Sequence, residues 1–256
     1  MDIDHKKAIV VFSGGQDSTT CLGWALTMFE DVVCITFDYN QRHHIEIEAA
    51  KNVIRFFEQQ TGRAISHEII PVAGIFAGMS PLTNPDEELE LYESNEEMEA
   101  IIGDRVEKTF VPMRNAAFLM IAANRAAVHG CGNIVTGVCQ ADNANYPDCR
   151  NSFVQSAQDT INEALGLTGK HRLVIHAPLM YFTKAESIML AKGLGDAYHA
   201  LAWSHTAYDG RFPPTGKDHA STLRAHGFEE AGVPDPLVVR AWMSNLMDLP
   251  SSMNYD

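Results

Sequence analysis

The sequence predicts an α/β chain: a doubly wound parallel sheet of about five strands, with a small helical C-terminal region. Three observations predict it. Short continuous apolar runs read as strands buried on both faces. Stretches with helical spacing alternate with those runs, as right-handed crossovers in a parallel sheet require. A glycine turn joins the first run to the first helical stretch, where such folds bind their ligands.

Ala8-Ile9-Val10-Val11-Phe12 is the first strand, followed by a helix from about Ser18 to Phe29. Val32 to Phe37 is the second strand, and Ile45 to Gln60 is a helix that ends at Gly62. Ser66 to Val72 reads as a third strand. Residues 80–108 are acid-rich, with Asp86-Glu87-Glu88 and Glu96-Glu97 among Pro, Asn and Ser, and read as a loop excursion over the active face. Asn115 to Val128 is a buried helix closed by Gly130, and Asn133 to Val138 is the fourth strand. Ser152 to Leu165 is helical, Leu173-Val174-Ile175 is a short fifth strand, and Lys184 to Lys192 is helical. Beyond Asp218 two more helices are expected, Ser221–Ala231 and Leu237–Met247. The α/β domain then spans 1–200 and the helical region 201–256.

The formal net charge of -14 argues against direct binding to nucleic acid or to an anionic membrane. No segment approaches the roughly 20 apolar residues of a transmembrane helix. The start, Met1 to Lys7, leads into a strand and lacks the apolar stretch of a secretory signal. Cys21, Cys34, Cys131, Cys139 and Cys149 are scattered, without CxxC spacing, and read as reduced thiols of a cytoplasmic protein.

Ser13-Gly14-Gly15-Gln16-Asp17-Ser18 lies between a buried strand and a helix. Two glycines let the backbone approach an anion, and the helix N-terminus offers N–H groups and a positive dipole end. Asp17 is a candidate Mg²⁺ ligand. The ordinary alternative is a βα turn with Asp or Ser as helix cap. The hexapeptide resembles that of the PP-loop ATP pyrophosphatases, within the adenine nucleotide alpha hydrolase-like fold. That resemblance implies ATP cleaved to AMP and pyrophosphate, with an adenylated substrate.

Phe37-Asp38-Tyr39-Asn40-Gln41-Arg42-His43 follows the second strand, where strand C-termini line a ligand crevice. Arg114 opens the long buried helix, an end the dipole does not favour for a cation, so an anionic partner is expected. The loop from Thr136 to Arg150 carries Asp142, Tyr146, Asp148 and Arg150, acids and a ring suited to a flat nitrogen-rich heterocycle. Lys184 follows the fifth strand and is a candidate for a phosphate or an anionic substrate, or a solvated lysine.

Together, Val-Val-Phe-Ser-Gly-Gly-Gln-Asp-Ser, Phe-Asp-Tyr-x-Gln-Arg-His, Phe-Val-Pro-x-Arg-Asn, Thr-Gly-Val-Cys and Tyr-Pro-Asp-Cys-Arg resemble the 7-cyano-7-deazaguanine (preQ0) synthase family, from Ile9 to about Glu186. The resemblance implies a ligase forming C–N bonds. It would take 7-carboxy-7-deazaguanine and ammonia to the nitrile through adenylated carboxylate and amide intermediates. ATP and Mg²⁺ would be consumed or used, for deazaguanine modification of DNA or tRNA. By matching position, Asp17, Ser18, Arg114 and Lys184 would be catalytic. Ser13, Gly14, Gly15, Gln16, Asp17, Ser18, Phe37, Gln41, Arg42, His43 and Gly137 would hold the nucleotide. Arg114, Asp142, Tyr146, Asp148 and Arg150 would face the deazaguanine. The resemblance also implies a homodimer.

The chain departs from the family at three places. Ala207, Thr215, Asp218 and Ser221 stand where four zinc cysteines are usual, so zinc is not expected. Asn40 and Met113 replace glycines; Asn tolerates left-handed backbone, whereas Met113 does not easily, and a reshaped pocket is expected there. Asn143-Ala144-Asn145 also differs. Other readings are a relative that stops at 7-amido-7-deazaguanine, another adenylating PP-loop enzyme, and a non-catalytic nucleotide-binding subunit.

Overall fold

The computed structural model describes residues 3–39, 45–76, 78, 80–84, 86–140 and 144–250. Five parallel strands form one sheet in the order β3-β2-β1-β4-β5. They are β1 (Asp4–Val11), β2 (Asp31–Asp38), β3 (Ser66–Pro71), β4 (Cys131–Val135) and β5 (Val174–His176). In register, Ala8 lies beside Val32 on one side and Asn133 on the other, which makes β1 the centre of the sheet.

The apolar runs are continuous because both faces of the sheet are covered. Ala8, Val10 and Phe12 point into one core, with α1 (Gln16–Met28), α2 (Ile45–Thr61), α6 (Lys184–Gly193) and α7 (Asp196–Ala200). Ile9, Val33, Ile35 and Phe37 point into the other, with α4 (Arg114–His129) and α5 (Asn151–Leu165). The two-residue side-chain period of a strand sorts neighbours onto opposite faces. Phe228 and Val233, at and beyond the end of α8 (His219–Ala231), join the first core, so the C-terminal region packs on that face. A last helix, α9 (Pro236–Met243), follows Asp235, whose side chain accepts from Leu237 N.

Two expectations need correction. The fourth strand ends at Val135, and Thr136 to Cys139 leave the ladder as a loop. The acid-rich excursion is not loop throughout: it contains α3 (Asn95–Ile102), capped by the Ser94 side chain accepting from Glu97 N. Its apolar face, Met98 and Ile102, packs with Tyr92 and with Leu223 of α8. Tyr92 N also donates to Lys217 O at 2.7 Å, and Lys217 Nζ reaches Glu93 at 2.7 Å, so the excursion is fastened to the C-terminal region. No helix among the described residues is long and apolar enough to cross a membrane.

The short edge strand β5 is held by side chains as well as by β4. Asn162 accepts from Leu173 N at 2.8 Å and donates to Leu173 O at 2.9 Å, like one more peptide unit. Gln158 accepts from Ile175 N at 2.7 Å. Asn162 is 2% exposed, so its loss strands both backbone groups of Leu173 away from water. Asn162→Leu is expected to cost about 1–3 kcal/mol per stranded group, read as a lower urea midpoint at unchanged m-value.

Candidate active site

The order of the strands creates the site. The helix after β1 covers one face and the helix after β4 the other, so the connections diverge above the sheet between them. A crevice opens there, at the carboxyl ends of the strands. Its floor is the turn Ser13–Gly15. Gly14 has φ +83°, and a Cβ on it would stand 2.5 Å from Ala50 N, so only glycine lets α2 pack against this turn. Gly15 starts α1 without a side-chain cap. The positive end of α1 therefore faces the crevice. Ser13 and Ser18 frame it, their hydroxyl oxygens 3.1 Å apart, while Gly15 N donates to Ser13 Oγ at 3.2 Å. On the facing wall, a Cβ at Gly137 would lie 3.2 Å from Ser18 N; the missing side chain lets the β4 loop rest on the first turn of α1.

Lys184, the first residue of α6, reaches across to Asp17, with Nζ 2.9 Å from Oδ2 and 3.1 Å from Oδ1. The Lys184 side chain is 10% exposed and that of Asp17 26%, so the pair is screened from bulk water on one side only. Gln16 lines the same crevice, 3% exposed, and neither its amide oxygen nor its nitrogen has a hydrogen-bond partner among the described residues. A buried amide left so costs about 1–3 kcal/mol, which a ligand's polar groups would offset.

The other half of the crevice is aromatic and cationic. Phe37 stacks on Phe118 with ring centres 4.0 Å apart and planes within 6°, and Tyr39 and Phe76 meet Phe118 edge-on or tilted. Beside them stands Arg114. Burial opposes its charge, but Tyr39, Tyr146, Tyr208 and Asp148 outweigh burial, and its hold on the proton is raised. Burial also pushes the Asp148 carboxyl above its ordinary range, against the pull of Arg114 and of the N–H of Asn115, which donates to Asp148 Oδ2 at 3.2 Å. Burial likewise raises the phenols of Tyr39, Tyr146 and Tyr208. The guanidinium thus stands among phenols and one carboxyl whose negative forms burial opposes, a setting that suits an added anion.

Tyr146 is oriented from behind. Its hydroxyl lies 2.5 Å from Thr109 Oγ1 and donates to Glu107 Oε2 at 3.1 Å, and Thr109 donates to the same carboxylate from its N–H, at 2.8 Å, and from its hydroxyl. Glu107 is 1% exposed and sits at the end of the excursion.

Of the residues singled out from the sequence, Ser13, Gly15, Gln16, Asp17, Ser18, Phe37, Arg114, Gly137, Tyr146 and Lys184 line one crevice. Gly14 shapes it from below. Asp148 is one layer back, against the start of α4. Arg150 is not brought in: it is exposed and precedes α5. Gln41, Arg42, His43 and Asp142 lie outside the described residues. Sequence reasoning missed Tyr208, which stands by Arg114 from far along the chain, and Glu107, which ties its neighbour Thr109 to the distant Tyr146. Tyr39 and Asn115 stood inside motifs that pointed here.

The positions usual for zinc cysteines do not form a metal centre. Ala207 is buried and has no donor atom. Thr215 donates to Asp209 at 3.0 Å, and Asp218 accepts from Ser221 N at 3.1 Å and Ser221 Oγ at 2.6 Å, which caps α8. Among the described residues no three of His, Cys, Asp or Glu gather as ligands. These residues do not fit a four-coordinate zinc site.

Residues 7–232 match the family described as queuosine biosynthesis protein QueC. The chain is 47% identical over 238 residues to a 7-cyano-7-deazaguanine synthase of Gloeobacter violaceus, covering 91% of this chain and 95% of that one. It is 44% identical over 246 residues to the synthase of that name from Laribacter hongkongensis, covering 93% and 96%. The Bacillus subtilis synthase is 40% identical over 229 residues, covering 88% and 94%.

Met113 does adopt the left-handed backbone its side chain disfavours, with φ 64° and ψ 6°. It is 69% exposed, points away from the crevice, and sits as the N-cap of α4 without a capping side chain. The strain falls on the backbone, and Met113 is not among the residues that line the crevice. Relief of that strain, less the added freedom of the unfolded chain, should make Met113→Gly more stable by about 0.5–1 kcal/mol, measured as a raised urea midpoint.

Proposed function

The chain belongs to the QueC family of queuosine biosynthesis proteins, and from that premise we propose that it converts 7-carboxy-7-deazaguanine and ammonia to 7-cyano-7-deazaguanine at the expense of ATP. The observation that carries the reading is the meeting, in one crevice, of an uncapped helix N-terminus with a shielded guanidinium. The first suits a chain of phosphates and the second a carboxylate.

A carboxylate does not react with ammonia, because its oxygen is a poor leaving group. In the proposed first stage a carboxylate oxygen attacks the α-phosphorus of ATP, and pyrophosphate leaves. Ammonia then adds at the acyl carbon, AMP leaves with its bonding electrons, and a proton is lost to give the amide. In the second stage the amide oxygen attacks a second ATP, and pyrophosphate leaves again. The nitrogen lone pair then forms the C≡N bond as AMP departs, and the remaining N–H protons go to solvent.

Each side chain has a task in this scheme. Ser13, Ser18 and the N–H groups at the start of α1 hold the departing pyrophosphate, and Lys184 swings from Asp17 to a phosphate oxygen. Gln16 offers its unmatched amide to the nucleotide, which runs over Phe37 and Gly137. Arg114 orients the carboxylate and then steadies the charge on its oxygen, while Tyr146 and Asp148 frame the heterocycle. Asp17 is the residue that would hold Mg²⁺ with phosphate oxygens, one carboxylate beside phosphates being a usual Mg²⁺ setting; the ion there neutralises phosphate charge. Positioning and electrostatics carry the rate, and no enzyme nucleophile is needed. The reading includes a homodimer in the cytoplasm and a product used in deazaguanine modification of tRNA or DNA.

Incubation with 7-carboxy-7-deazaguanine, ATP and ammonium, followed by mass spectrometry, should give the nitrile, with the amide visible after a single turnover. Amide alone would identify an amide-forming relative, and neither product would refute the reading. Asp17→Asn is expected to slow pyrophosphate release about 10²-fold or more. Arg114→Met should raise the KM for the carboxylate substrate about 10²-fold with ATP binding nearly unchanged, as loss of one charge-assisted pair predicts.

A further inference from the structure

Behind the crevice lies a second buried charge that the reaction does not use. Arg224, on α8, is 3% exposed and Asp235 is 4% exposed. Arg224 Nε donates to Asp235 Oδ2 at 2.6 Å and Nη2 to Oδ1 at 2.7 Å, a bidentate pair. Nη2 also donates to Leu201 O at 3.2 Å, and Nη1 donates to Ser204 Oγ at 2.8 Å and Thr206 Oγ1 at 2.9 Å. All five N–H donors of the guanidinium are used. Asp235 in turn holds the first N–H groups of α9, accepting from Leu237 N at 2.8 Å.

The tied segment is a wall of the crevice. His205, between Ser204 and Thr206, donates its N–H to Gly14 O at 2.9 Å. His205, Thr206 and Tyr208 all line the crevice, and Tyr208 stands beside Arg114. On the same helix as Arg224, a Cβ at Gly227 would lie 2.5 Å from Lys184 Cγ, so α8 also backs the Lys184 stem.

The geometry points to Arg224, paired with Asp235, as a positioning residue: it pins residues 201–206 against the phosphate turn through His205 and Gly14. A guanidinium fork suits this because its geometry is rigid and its five donors reach two chain segments at once, 201–206 and Asp235. Lysine keeps the charge but offers a flexible point, and cannot hold Asp235, Ser204, Thr206 and Leu201 together.

The test compares wild type, Arg224→Lys and a control, Arg63→Lys, in the full chain. Arg63 bonds to the carbonyls of Leu26, Phe29 and Glu30 at the far end of α1, away from the crevice. Arg224→Lys is expected to speed amide exchange about tenfold or more over residues 201–208 and 13–15, with β5 unchanged. Arg63→Lys should leave those segments as in wild type. The KM for ATP should rise about tenfold in Arg224→Lys alone, a readout that rests on the function proposed above. Equal exchange over 201–208 in the two arginine variants would overturn the inference. If Arg224→Lys does not fold, Asp235→Asn is read by the same exchange pattern. A wild type that never binds ATP would count against the proposed function, while the exchange results still decide this inference.

Discussion

The first turn of α1 meets the crevice with its N–H groups and no capping side chain, and the rest of the site is arranged around that end. Helix N-termini are normally satisfied by Ser, Thr, Asp or Asn at the cap. Here Gly15 occupies that place, Gly14 bends the chain with a left-handed φ, and Gly137 brings the β4 loop onto the same turn. A side chain at Gly14 would drive α2 away from the turn, and one at Gly137 would lift the β4 loop off the first turn of α1. The strand order supplies the room, because the sheet connections diverge above β1 and β4.

Charge follows the same logic. The chain carries 33 acidic side chains against 19 lysines and arginines, so its exterior repels polyanions. Arg114 and Lys184 are nevertheless drawn into the crevice, one among phenols and one against Asp17. Cations set in a low-dielectric recess act at short range, where the surrounding negative surface is screened. Small anions can therefore be bound by a protein whose overall field is unfavourable to them.

Much of this was legible in the sequence, and the reasons are local. Strands buried on both faces must be apolar throughout, and so β1 and β2 announce themselves. The hexapeptide Ser13–Ser18 carries its own geometry in two glycines and two hydroxyls. What was not legible depends on contacts far along the chain. The helix α3 hid in an acidic stretch because its buried face is only Met98 and Ile102, matched by Leu223 more than a hundred residues on. Glu107, bonded locally to Thr109, gains its place in the site through Tyr146, and Tyr208 through Arg114. Arg150 looked like a ligand because it closes a polar motif, but the short helical turn Pro147–Cys149 carries it out to solvent. Met113 shows the opposite error: a residue type that disfavours a backbone shape still takes it when exposure leaves its side chain unobstructed.

The contact between Lys184 and Asp17 has a consequence for selectivity. A lone ammonium in the recess would attract any anion; with its own carboxylate beside it, the recess is internally neutralised. An arriving anion would have to displace that tethered carboxylate, which a polyvalent guest would do more readily than a monovalent one.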